Sequence, residues 1–81
     1  MKRYANPEAQ RYVYYIRETI NGYAIQVLVV DRDERYPLTA AIAAQNGLDV
    51  PEGVSFHASS IDTVEASLAA LATANGMVEI E

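Results

Sequence analysis

Arg11-Tyr12-Val13-Tyr14-Tyr15-Ile16-Arg17-Glu18-Thr19-Ile20-Asn21-Gly22-Tyr23-Ala24-Ile25-Gln26-Val27-Leu28-Val29-Val30-Asp31 decides the fold. Two runs rich in β-branched and aromatic residues flank Asn21-Gly22, which suits a two-residue type I′ turn because both central positions need positive φ. The stretch predicts a β-hairpin. Pairing outward from that turn sets Ile20 against Tyr23, Glu18 against Ile25, Ile16 against Val27 and Tyr14 against Val29. This face is apolar except for Glu18 and is the expected core face. The other face sets Thr19 against Ala24, Arg17 against Gln26, Tyr15 against Leu28 and Val13 against Val30, polar near the turn and apolar at the far end. A helix over residues 7–20 competes with this reading: Asn6-Pro7-Glu8 makes a good helix start, and Ala9, Val13, Ile16 and Ile20 would share one side. The strand is preferred because residues 12–16 suit a pleated surface and a clear strand follows Asn-Gly at once.

Beyond the hairpin, residues 23–31 are apolar on both faces apart from Gln26, as expected of a strand with neighbours on both sides. The run Asp31-Arg32-Asp33-Glu34-Arg35 reads as a solvated loop whose charges partly pair with one another. Residues 38–45 hold four alanines, with Leu38 and Ile42 spaced i, i+4, and predict a short helix. Pro37 suits its first turn, Thr39 is the better cap and Asn46-Gly47 the stop. Its alanine face buries little area, so it is expected to be the weaker of two helices. Residues 48–53 are turn-rich. Residues 54–58 alternate, with Val54, Phe56 and Ala58 inward, and predict a third strand. The second helix has the clearest start in the chain: Asp62 with Glu65, and Ser59 with Asp62, form capping-box patterns. Ile61, Val64, Leu68 and Leu71 form its buried stripe, Glu65, Ser67 and Thr73 lie on the other side, and Asn75-Gly76 ends it. Residues 77–81 alternate as a last strand, with Val78 and Ile80 inward and Glu79 and Glu81 outward at a charged sheet edge. The expected fold is a single α+β domain over residues 1–81: a hairpin followed by α-β-α-β, with a sheet of about four strands covered on one face by two helices.

Eighty-one residues bury only about 60–65% of the surface of the unfolded chain, so the whole fold is worth roughly 4–12 kcal/mol. A dimer interface or a bound partner would add a large share. Cysteine is absent, which excludes disulfides, thiolate metal sites and a thiol nucleophile. The start of the chain shows no apolar run of a signal peptide or span, and the cytoplasm is the expected location.

Charge is the informative part of the composition. The formal net charge is −5, yet all six basic residues, Lys2, Arg3, Arg11, Arg17, Arg32 and Arg35, precede Tyr36. From Tyr36 onward only acids occur: Asp49, Glu52, Asp62, Glu65, Glu79 and Glu81. Such a half is either a solvated acidic face that keeps the protein soluble or a surface that attracts basic proteins while repelling nucleic acid and anionic lipid.

No phosphate loop, zinc motif, nucleophile triad or calcium loop is present, so no cofactor, metal or enzymatic activity is expected. His57 has no second imidazole and reads as a surface histidine. Arg3, Arg11, Arg17 and the tyrosines make too small a basic footprint for direct nucleic-acid binding. In size, acidity and lack of motifs the chain is similar to small inhibitors carried by phages and mobile elements, anti-CRISPR proteins among them; no residue motif carries that likeness. It implies a protein-binding module that occupies the basic surface of a nucleic-acid-binding protein. The expected contact residues are Tyr15, Arg17, Asp31, Asp33, Glu34, Asp49 and Glu52. The alternatives are a homodimeric or antitoxin-like small subunit and, behind it, a small-molecule site built on Arg17, Tyr15 and His57.

Overall fold

A computed structural model describes residues 2–80 of the chain. It is a small α+β domain: an antiparallel sheet with two helices. Its strands are β1 (Arg3–Ala5), β2 (Tyr12–Thr19), β3 (Gly22–Val29), β4 (Glu34–Pro37), β5 (His57–Ala58) and β6 (Val78–Ile80). The helices are α1 (Ala40–Gln45) and α2 (Ile61–Ala74). The sheet runs β4-β3-β2-β1-β6, and β5 pairs with the turn end of β3. The expected hairpin is therefore present, and β3 has neighbours on both sides. Six strands replace the expected four. The two extra ones, β1 and β4, are short and charged, which hid them from a reading based on apolar runs.

The turn lies one residue earlier than Asn21-Gly22. Thr19 pairs with Gly22, Ile16 with Ile25 and Tyr14 with Val27, so Ile20 and Asn21 are the loop and Ile20 is fully exposed. Each residue of β2 thus meets a partner two positions from the expected one, a shift that leaves both faces intact. The cause is β5. Gly22, at φ +152°, sits where a Cβ would meet the Ala58 carbonyl oxygen and come within 2.7 Å of Ser59 Cα. Its lack of a side chain lets β5 approach the ladder, so the glycine serves close packing inside the strand and leaves the turn to others.

The core joins Tyr14 and Ile16 of β2 and Ile25 and Val27 of β3 to Val64, Leu68, Leu71 and Ala72 of α2, to Ala43 of α1, and to Leu38 and Met77. Val54, Phe56 and Ala58 pack against this cluster as expected, although only His57–Ala58 is strand. Thr39 caps α1, its Oγ1 accepting from Ile42 N–H at 3.2 Å, and Pro37 belongs to β4 and not to the helix. On α2 Val64, Leu68 and Leu71 of the expected stripe are buried and Ile61 is only half-buried, while Ser67 is buried with the first three. Its Oγ accepts the Ser55 N–H at 2.9 Å, which ties the loop before β5 to the helix.

The last strand has the opposite phase to the expected one. β6 pairs Arg3 with Ile80, Tyr4 with Glu79 and Ala5 with Val78. Tyr4 packs against the core, so Glu79 shares the helix side, while Val78 and Ile80 face away. Alternation fixes the period of a strand but not its phase, and Met77, buried just before β6, supplies the inward apolar group. Glu81 lies outside the described residues. The charged run 31–35 divides between a 3-10 turn (Val30–Arg32), Asp33 in the left-handed region (φ 51°) and the start of β4. Its pairing is partly internal, Arg35 to Asp33 at 3.2 Å, while Asp31 reaches back to Arg11 at 3.4 Å.

Candidate functional site

Cross-strand partners stand on the same face of a sheet, so the registers define the face turned away from the core cluster. One row across it is Ile80, Arg3, Tyr15, Gln26 and Pro37. A second carries Val78 beside Ala5, and Val13, Leu28 and Arg35 in succession. A third is Arg17, Ala24 and His57. Among the described residues no acid occupies a strand position on this face, whereas Glu18, Glu34 and Glu79 all pair on the other. In a chain of net charge −5 this is a sorting of charge by face as well as by sequence half.

Tyr15 is the ordered centre of the face. Its hydroxyl donates to Gln26 Oε1 at 2.9 Å, and Gln26 is only 6% exposed, so the acceptor is held by packing. The Arg3 guanidinium carbon lies 5.8 Å from the centroid of the same ring, within cation–π range. Arg17 is exposed two residues along the strand, and Val78 is 46% exposed at the sheet edge. His57 is exposed, its Nε2 3.4 Å from Thr19 Oγ1. Arg17, Tyr15 and His57 do share this face, but no strand carboxylate joins them there to form an acid–base pair.

The acids expected at the site lie elsewhere and do not form one surface with Tyr15 and Arg17. Asp31, Asp33 and Glu34 cluster at the β3–β4 connection, where each has a partner. The Tyr36 hydroxyl donates to Glu34 Oε1 at 2.8 Å, and this bond holds the phenol above its ordinary pKa by making it costlier to ionise beside a carboxylate. Asp49 is fixed through its backbone: its N–H donates to Asn75 Oδ1 at 2.7 Å and its carbonyl accepts from Asn75 Nδ2 at 2.8 Å. Glu52 lines a shallow groove of about 440 Å³ along α2 with Asp62 and Ser67.

A cleft of about 340 Å³ opens between α1 and the β3–β4 end of the sheet. Val27, Val29 and Ile42 line its apolar part, and Arg11, Arg32 and Glu34 stand around it. Arg11 leans on the Tyr12 ring at 5.4 Å and bonds Asp31, and Glu34 offsets Arg32, so this cleft offers no net positive charge to an anion. Among the described residues no group of three His, Asp or Glu side chains converges as metal ligands do. Among these residues no helix is long and apolar enough to cross a membrane.

Sequence reasoning missed Arg3, Arg35, Val78 and Ile80 as members of the sheet face. The only available signal was the local alternation Arg3-Tyr4-Ala5 and Arg35-Tyr36-Pro37, too short to stand out. Comparison with known protein families, with curated proteins and with solved structures finds no match.

Proposed function

We propose that this chain is a protein-binding module that works in the cytoplasm without catalysis of its own. In this reading it is a two-layer domain, with both helices on one face of the sheet and the other face uncovered. Its helical side occupies a basic surface that a partner otherwise presents to nucleic acid, in the manner of a small phage-type inhibitor. The observation that carries the reading is the sorted charge: from Tyr36 onward every charged residue is an acid, and Asp49, Glu52, Asp62 and Glu65 all belong to α2 or to the connection that leads to it. A dense acidic surface steers a basic partner and repels the partner's polyanion.

The test is recovery of a partner from nuclease-treated host extract, followed by kinetics with the purified pair. Affinity should fall steeply with salt, and nucleic acid added in excess should displace the module. Glu52→Gln with Asp62→Asn, or neutralisation of Asp31, Asp33 and Glu34, should mainly slow association. Affinity that stays flat between low and high salt overturns the reading.

A further inference from the structure

We propose that the uncovered sheet face is a separate docking surface whose occupant is an acidic amphipathic helix of a partner protein. Its chemistry is complementary to that of the helical side: among the described residues Arg3, Arg17 and Arg35 stand on it and only Asp33, bonded to Arg35, brings an acid to its edge, while Tyr15, Leu28 and Val78 give it an apolar surface around the buried Ala5 and Val13. A helix with an apolar stripe flanked by carboxylates fits both features, with the stripe on Tyr15, Leu28 and Val78 and the carboxylates on Arg3 and Arg17. Tyr15 is already held by Gln26 and covered by Arg3, so little side-chain freedom is lost when a partner lands. Five strands at about 4.8 Å spacing make a face roughly 20 Å wide, large enough for one helix but short of the ~800 Å² per partner of a standard complex. Binding should therefore be weak and exchangeable.

Two other occupants fit less well. A second copy placed face to face would crowd the arginines of both chains with no strand carboxylate between them. Single-stranded nucleic acid needs free aromatic faces, and here the one ring at the centre is occupied by Arg3. A long polyanion would also run past the edge into Glu34 and Glu79 on the other side.

The experiment is a titration of the isotope-labelled full chain, followed by NMR. The probe is a capped helical peptide with leucines at i, i+3, i+4 and i+7 flanked by glutamates, and the control replaces each glutamate by glutamine. The expected result is shifts at Tyr15, Leu28, Arg35 and Ile80, with affinity about tenfold or more lower for the glutamine peptide. Arg17→Glu, at an exposed position that leaves the fold in place, should lower affinity for the glutamate peptide by a similar factor and leave the control unchanged. Equal binding of both peptides overturns the proposal, as do shifts confined to α2. Oligothymidine binding more tightly on this face, or the same shifts on concentrating the protein alone, would assign the surface to nucleic acid or to a second copy and also overturn it. The helical side plays no part in this test, so its outcome is independent of the charge reading above.

Discussion

The two helices differ most at their N-termini and in how much of each is buried. α2 has fourteen residues, five of them buried, and no side-chain bond at its N-cap Ser60. α1 has six residues, only Ala43 buried, yet its N-cap Thr39 is bonded and its C-cap Asn46 donates from Nδ2 to the Tyr14 hydroxyl at 3.1 Å. Burial makes a side-chain bond at the N-cap dispensable for the long helix, whose C-cap Asn75 is bonded to Leu71 and Asp49, whereas the short one has little besides its caps. Capping signals in a sequence therefore mark where a helix can start and say little about what keeps it folded.

The contrast can be broken most directly at Leu68, which is 1% exposed in the middle of α2. Leu68→Ala should cost about 2–5 kcal/mol, close to the whole stability of so small a domain, read as a collapse of the denaturant midpoint. Gly22→Val acts on the entry to α2, because the new side chain would collide with Ala58 and Ser59 just before Ser60. A loss of about 1–3 kcal/mol is expected, with NMR shift changes centred on β5 and not on the Ile20-Asn21 loop. Ser67→Ala, which would be neutral on an exposed helix face, should cost about 1–3 kcal/mol by stranding the Ser55 N–H. A neutral result would show that water replaces the hydroxyl.

Effects on α1 should be smaller and local. Thr39→Ala should cost about 1 kcal/mol and raise amide exchange in Ala40–Gln45 far more than in α2. Equal changes in both helices would mean that they open as one unit. Alkaline pH probes the other end of α1. Burial raises the Tyr14 phenol above its ordinary pKa, with the Asn46 bond opposing it in part. A raised folded-state pKa means that the folded protein holds this proton more tightly than the unfolded chain, so its contribution is complete below about pH 10 and lost as pH climbs beyond that. The melting temperature should fall above about pH 10, and Tyr14→Phe should flatten that fall while costing about 0.5–1.5 kcal/mol at neutral pH.

Much of the frame was legible in the sequence: the hairpin, both helices and their stops, the inward set Val54, Phe56 and Ala58, and the placing of the last strand at an edge. Three things were not, each because a pattern with the right period admits more than one phase or cause. Gly22 reads locally as a turn former, but its contact with β5, far along the chain, decides the register. Val78 and Ile80 alternate as inward residues would, and nothing local tells which side β1 presents to β6. Ser67 looked like surface because a serine on a helix is usually solvated, and its partner is a backbone N–H that no pattern marks. Of the candidate site, the hairpin's share was legible: Val13, Tyr15, Arg17, Gln26 and Leu28 on its outer face. The site's other arginines sit on strands of three and four residues that only the assembled sheet reveals.

The pairing of β1 with β6 brings Arg3 beside Ile80, at almost the greatest sequence separation the described chain allows. Closing so long a loop costs about 3 kcal/mol more chain entropy than closing the hairpin, where Thr19 meets Gly22. The sheet should therefore assemble outward from the hairpin, with the β1–β6 seam absent from the transition state, so that weakening this seam speeds unfolding and leaves the folding rate nearly untouched. A circular permutant joining these neighbouring strands by a short linker would turn the slowest contact into a local one and should refold faster than the native chain.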